Sequence, residues 1–212
     1  MTPARGVFVT GTDTGVGKTV VSALLTLALP HACYWKPIQS GLPPAADSTD
    51  RDDVARWTGL PHSRLLTEAY RLKLPASPHV SAAAEGIAIE RARLALPPAP
   101  GPVVVEGAGG VMVPINGEAL MLDLMAWLAL PVVLVARTAL GTINHTLLSL
   151  AALRHRGLAV ALLVLNGEPV PSTTQALRHW GQVPLLAELK PLTMLDPEHL
   201  ALASQSLPNM ME

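Results

Sequence analysis

This 212-residue chain predicts a three-layer α/β fold, a mainly parallel sheet with helices on both faces. Three observations carry that expectation. Short apolar, β-branched runs alternate with longer helical stretches along the chain. Two of those runs, Val103-Val104-Val105 and Val132-Val133-Leu134-Val135, are apolar without alternation, as strands covered on both faces are. A glycine-rich segment joins the first run to the first helical stretch, in the order strand, loop, helix.

The elements follow in order. A first strand is expected at 6–10 and a helix at 18–28, where the apolar residues take helical spacing. A second strand is expected at 32–36. The acidic segment Asp47-Ser48-Thr49-Asp50-Arg51-Asp52-Asp53 then suits the N-terminus of a helix at 50–58, because carboxylates favour the positive end of the helix dipole. Proline-rich stretches at 96–102 and 168–171 mark connections. Between and beyond them fall a strand at 102–106, a helix at 120–128, a strand at 131–136, a helix at 142–156 and a strand at 159–165. A helix at 173–180, a short strand at 183–186 and a last helix at 197–206 complete the pattern.

Composition narrows the class of function. The chain is 50% hydrophobic and 15% charged, with a formal net charge of −1 and a mean hydropathy of +0.36. Disordered chains combine low hydrophobicity with high net charge, the reverse of this. Fifteen basic residues against sixteen acidic ones give no general surplus for a nucleic-acid backbone. The longest apolar run, 124–136, is broken by Pro131 and stops at Arg137, short of the roughly 18 residues that suggest a membrane span. No apolar signal core precedes the first strand, and Cys33 is a lone cysteine, so a reduced, soluble, cytoplasmic protein of one domain over 1–212 is expected.

In open sheets of this kind ligands bind beyond the carboxyl ends of the strands, so the segments that follow each strand are where chemistry is expected. The first strand runs into Gly11-Thr12-Asp13-Thr14-Gly15-Val16-Gly17-Lys18-Thr19. Its glycines let backbone N–H groups converge on phosphate oxygens, and the following helix N-terminus favours an anion. Lys18 suits the β- and γ-phosphates, and the Thr19 hydroxyl suits a magnesium ion. Gly11 lies one residue further back than the simplest phosphate-loop spacing requires. A flexible glycine turn with an incidental lysine is the bland reading.

Other strand ends add to the set. Lys36 opens Lys36-Pro37-Ile38-Gln39-Ser40-Gly41 and is one of only four lysines, so it either offsets anionic charge or is a solvated strand-end residue. Asp50, Asp52 and Asp53 either cap a helix or include a magnesium-side carboxylate. The strand ending in Glu106 resembles the second magnesium-side element of phosphate-loop enzymes; a surface glutamate at a glycine turn is the alternative. The helix start at Gly141-Thr142-Ile143-Asn144 offers free N–H groups to a carboxylate, or is capped by Thr142 or Asn144. His145 reads as a helix-face residue. Asn166 either meets a nucleobase edge or forms a turn beside Gly167.

Taken together, residues 9–19, 36–41, 105–110 and 140–145, with Ser77-Pro78-His79, closely resemble the dethiobiotin synthetase family, in order from about Val7 to Leu186. The longer phosphate loop is itself a feature of that P-loop NTPase-like family. The resemblance implies an ATP- and Mg²⁺-dependent ligase of biotin biosynthesis that closes a cyclic urea from 7,8-diaminononanoate (7,8-diaminopelargonate) and CO₂. An amine becomes a carbamate, the carbamate oxygen attacks the γ-phosphate, and the second amine displaces phosphate from the carbamic-phosphoric anhydride. By position the resemblance makes Lys18, Lys36 and Thr14 catalytic, and it gives ATP Asp13, Thr14, Gly15, Val16, Gly17, Lys18, Thr19, Asn166 and Glu188. Lys36, Ser40, Gly141, Thr142, Ile143 and Asn144 would hold the substrate, the last four from a neighbouring subunit of a homodimer. Thr19, Asp50 and Glu106 would be the magnesium-side oxygens. Some members carry glutamate where this chain has Gly15, so no carboxylate role applies there.

Two other readings share the fold. Ligases acting on corrinoid-type carboxylates carry a glutamine-hydrolysing domain, for which this length has no room. Switch ATPases of septum positioning and plasmid partition place a lysine where this chain has Asp13, the opposite charge.

Overall fold

The computed structural model describes residues 6–42 and 48–208, so Asp47 of the acidic segment lies outside the described residues. In chain order the elements are β1 (Gly6–Gly11), α1 (Lys18–Ala28), β2 (Cys33–Trp35), β3 (Ile38–Gln39), α2 (Asp50–Thr58), β4 (Leu65–Leu66), β5 (Tyr70–Arg71) and α3 (Pro78–Ala84). They continue as β6 (Val103–Gly110), α4 (Met121–Leu128), β7 (Val132–Arg137), α5 (Thr142–His155), β8 (Val160–Asn166), α6 (Pro171–Gly181), β9 (Leu186–Leu189) and α7 (Pro197–Ser204). Seven strands form one sheet in the order β4-β2-β6-β1-β7-β8-β9, and every pairing in it is parallel. β3 and β5 form a separate parallel pair beside it.

Strand residues alternate between two cores. Phe8, Val103, Val105, Val132 and Leu134 face one side, where Leu124 of α4, Leu150 of α5 and Leu177 of α6 cover them. Val7, Val9, Val104, Val133 and Val135 face the other, under Leu24 of α1, Val54 of α2 and Leu200 of α7. Each strand buries both faces, which is why its sequence shows a continuous apolar run rather than a period of two. The helix after β1 lies on one face and the helix after β7 on the other, so the connections diverge between adjacent strands. A crevice opens at that point, beyond the carboxyl edge of the sheet.

The last strand is displaced from its expected place, lying at Leu186–Leu189 rather than 183–186. α6 runs on to Gly181 and is closed by Gln182 in the left-handed conformation, while Pro184 has no N–H to give a ladder. Pairing with β8 therefore starts at Leu186, opposite Leu163. α6 also begins earlier than expected, with Pro171 in its first turn, where the missing N–H is harmless. The helix α3 and the β3–β5 pair were outside the expected pattern because each is too short to show a period.

Candidate active site

β1 ends on Gly11, and the chain then wraps the N-terminus of α1. Gly17 is the N-cap, at φ 97°, and supplies no side-chain cap, so the first N–H groups of the helix stay open to a ligand. That left-handed turn suits glycine. Asn166, at the end of β8, packs so closely that a Cβ on Gly17 would collide with its Nδ2. Its Nδ2 donates to the Val16 carbonyl at 2.9 Å.

A cavity of about 760 Å³ opens over this loop. Its walls include Thr14, Gly15, Gly17, Lys18 and Thr19 from the loop, Lys36 and Ser40 from the segment after β2, Asp50 from α2 and Glu106 from β6. Four separate segments thus deliver their side chains to one space. Glu106 was expected to end its strand, but β6 pairs with β1 as far as Gly110, so the carboxylate lies within the strand.

The floor is a compact polar cluster. Glu106 is wholly buried, yet three donors satisfy it. Thr19 Oγ1 donates to its Oε1 at 3.0 Å, Lys36 Nζ donates to the same oxygen at 2.9 Å, and the Tyr34 hydroxyl donates to Oε2 at 2.8 Å. Lys36 also pairs with Asp50. Burial works to discharge the Lys36 ammonium, but Glu106 and Asp50 outweigh it, and its pKa is raised. Among the described residues Lys18 has no such carboxylate contact; its Nζ donates to the Asp13 carbonyl at 2.9 Å. Burial lowers its pKa to about 8, against the pull of Glu106 and with help from Lys36. Burial and then Glu106 push the Tyr34 hydroxyl well above its ordinary range.

The three aspartates separate by their partners. Asp52 completes a capping box, accepting from the backbone N–H of Thr49 at 2.9 Å and the Thr49 hydroxyl at 2.8 Å. Asp53 accepts from Ser48 and Arg56. Asp50 alone of the three lines the cavity. Oxygen donors from Thr19, Asp50 and Glu106 therefore converge, one hydroxyl and two carboxylates, a donor set that matches magnesium's preference for a few carboxylates completed by phosphate.

Other expected residues lie elsewhere. Asp13 and Val16 belong to the loop but not to the cavity wall, Asp13 being exposed and Val16 buried in the core. Glu188 is exposed on β9 and accepts from the Thr174 hydroxyl at 2.6 Å. Gly141, Thr142, Ile143 and Asn144 begin α5 and are not among the cavity's lining residues. Neither Thr142 nor Asn144 caps that helix; Gly141 is the N-cap, at φ 92°, without a side-chain cap. The Thr142 N–H donates to the Ala139 carbonyl at 3.1 Å, which leaves the N–H groups of Ile143 and Asn144 without a partner among the described residues. Two wall features carried no sequence signal strong enough to single them out. Gln39 accepts from the backbone N–H of Asp50 at 3.3 Å, and Pro75 and Ala76 close the wall ahead of Ser77.

Comparison with known proteins identifies the family. The model of an AAA domain family matches residues 5–199. The ATP-dependent dethiobiotin synthetase BioD of Agrobacterium fabrum (strain C58) is 53% identical over 190 residues, which cover 86% of this chain and 87% of that protein. The biotin biosynthesis bifunctional protein BioCD of Bordetella avium (strain 197N) is 50% identical over 206 residues, 97% of this chain; the match spans 44% of that longer protein. Among solved structures, a ParA family ATPase from Chlorobium tepidum TLS superposes with a TM-score of 0.51 at 12% identity, covering 96% of this chain and 90% of that one. That last likeness concerns the fold alone.

Proposed function

The chain belongs to the ATP-dependent dethiobiotin synthetase family of biotin biosynthesis, and from that premise we propose how this cavity closes a ureido ring. The observation that carries the reading is the pairing of two buried lysines, Lys18 and Lys36, with the oxygen cluster of Thr19, Asp50 and Glu106 in one cavity.

One amine of 7,8-diaminononanoate adds to CO₂, forming a C–N bond and losing a proton to give a carbamate. A carbamate oxygen attacks the γ-phosphorus of ATP and ADP leaves. The second amine then attacks the carbonyl carbon of the mixed anhydride, phosphate leaves, and the ring closes. The second step brings an anion against an anion, so fixed positive charge must offset the repulsion before the atoms can approach. Lys18 does this from the phosphate loop and Lys36 from the opposite wall. Glu106 and Asp50 keep Lys36 charged in a buried place. Thr14 faces the same groups, and the Ser40 hydroxyl, buried without a partner among the described residues, faces the substrate's nitrogen side. Thr19, Asp50 and Glu106 would hold Mg²⁺, which supplies charge neutralisation at the phosphates.

Asp13, Gly15, Val16 and Gly17 shape the loop around the nucleotide, Asn166 meets the base end of it, and Glu188 stands further along that side. The helix start at Gly141, Thr142, Ile143 and Asn144 binds the substrate carboxylate for a neighbouring subunit, with the N–H groups of Ile143 and Asn144 free to donate. Exposed Leu140, just before that helix, and Ile143 and Leu148 on it suit a homodimer contact. The chain works as one catalytic domain in the cytoplasm, and none of its described helices is long and apolar enough to cross a membrane.

The test is incorporation of label. Purified protein with Mg-ATP, labelled bicarbonate and the diamine is expected to yield acid-stable label, because a ring-closed urea survives acid and a free carbamate does not. Lys18→Ala and Lys36→Ala should each abolish it. Folded protein that binds ATP but forms no acid-stable label overturns the reading.

A further inference from the structure

The phosphate loop is held from its outer side by two side chains from neighbouring strands. Arg137 closes β7 and Asn166 closes β8, and the two are direct partners in the parallel ladder. Asn166 reaches the loop at the Val16 carbonyl. Arg137 reaches it at Asp13, its Nη2 donating to Oδ2 at 2.8 Å. The other oxygen of the same carboxylate accepts from the backbone N–H of Thr14 at 2.7 Å, and the Asp13 carbonyl accepts from Lys18 Nζ at 2.9 Å. Asp13 is therefore a junction between Arg137, the loop backbone and the loop lysine.

We propose that Arg137 is a positioning residue for the phosphate loop. By holding Asp13 it fixes the backbone between Asp13 and Lys18 in the shape that receives a nucleoside triphosphate. It also ties that loop to the four residues that lead from β7 into α5. The inference rests on the nucleotide-binding part of the function above and not on the ring-closing chemistry.

A simple charge effect predicts something different. If Arg137 acted only as a cation near phosphate, removing the Asp13 carboxylate would tighten nucleotide binding. If Asp13 is the junction, its loss loosens the loop and weakens binding, although a negative charge has gone. Both side chains of the pair are about half exposed, and pairs of that kind contribute up to about fivefold.

The experiment measures Mg-dependent binding of a fluorescent N-methylanthraniloyl ATP by wild type, Arg137→Met, Arg137→Lys, Asp13→Asn and the Arg137→Met/Asp13→Asn double variant. Arg137→Met and Asp13→Asn should each weaken binding about threefold to fivefold. The double variant should be no weaker than either single one, and Arg137→Lys should recover most of the affinity. In the labelling assay KM for ATP should rise in Arg137→Met while kcat holds. Unchanged affinity in Arg137→Met, tighter binding in Asp13→Asn, or fully additive losses would each overturn the proposal. Wild type that binds nucleotide without making urea removes the ring-closing reading and leaves this test intact. Wild type that binds no nucleotide overturns both.

Discussion

Tyr34 stands directly beneath the charged floor of the cavity, and its hydroxyl is the sole donor to Glu106 Oε2 among the described residues. Removing that hydroxyl leaves a carboxylate oxygen buried with nothing to bond, and the desolvation penalty of such a group is about 1–3 kcal/mol. Tyr34→Phe should therefore lower the urea midpoint by an amount equivalent to that loss, with the slope of the transition unchanged; an unchanged midpoint would contradict it. Lys18 and Thr19 were legible in the sequence because a glycine-rich loop leads from a strand into the helix they open, and Lys36 and Glu106 because an apolar run stops at each. Tyr34 was not legible. It lies inside a buried strand, where an aromatic residue reads as core, and its partner is 72 residues further along the chain. Residue chemistry alone left Asp50, Asp52 and Asp53 equivalent, since all three suit a helix N-terminus; the family resemblance singled out Asp50 by position, and in the structure their partners differ.

α7 lies against α1 and α2 and sends Leu200 into the core beneath them. Its expected start matched because the signals are local: Asp196 as cap, Pro197 in the first turn, then a helical run. β9 was displaced because its start depends on where α6 ends and where β8 offers hydrogen bonds, neither of which is local. The cap of α7 also gives this element a defined pH response. The backbone N–H of His199 donates to the Asp196 carboxylate at 2.9 Å, and this bond, helped by the His199 ring, lowers the carboxyl below its ordinary value of 3.8. A carboxylate with a depressed folded-state pKa contributes its stability above the unfolded value and loses it as pH falls through the folded one. Backbone amides of α7, corrected for intrinsic exchange rates, should therefore lose protection on acidification below about 3.8. Asp196→Asn keeps a capping oxygen without a titrating group, so the acid-dependent part of that loss should vanish in it. Equal losses in both proteins would assign the effect to something other than the cap.

At the scale of the whole molecule, the sheet decides both what the site contains and how it is protected. The three-layer architecture was legible because every long strand buries both faces, and the parallel run of the strands brings Lys36, Glu106 and the N-termini of α1 and α2 to one edge. The wall at Pro75 and Ala76 was not legible, since it depends on the two-residue strands β3 and β5 finding each other across the chain. Cys33, in β2 between β4 and β6, reports on the integrity of this sheet. It is fully buried, burial raises its thiol pKa, and Arg64 closes the strand's entry by donating to the Ala32 carbonyl at 2.7 Å and the Thr26 carbonyl at 2.9 Å. A thiol reagent should therefore reach Cys33 only when the sheet opens as a unit. Ligand that binds the folded state alone stabilises it by about 2.7 kcal/mol at a concentration 100 times its Kd. When opening and closing are fast relative to labelling, saturating Mg-ATP at that excess should slow Cys33 labelling by roughly 100-fold. The same nucleotide should leave the rate unaltered in Lys18→Ala once binding is lost. Labelling of wild type that is indifferent to nucleotide would mean that β2 and β4 open locally, with the phosphate loop still formed, and that the sheet is not one cooperative unit.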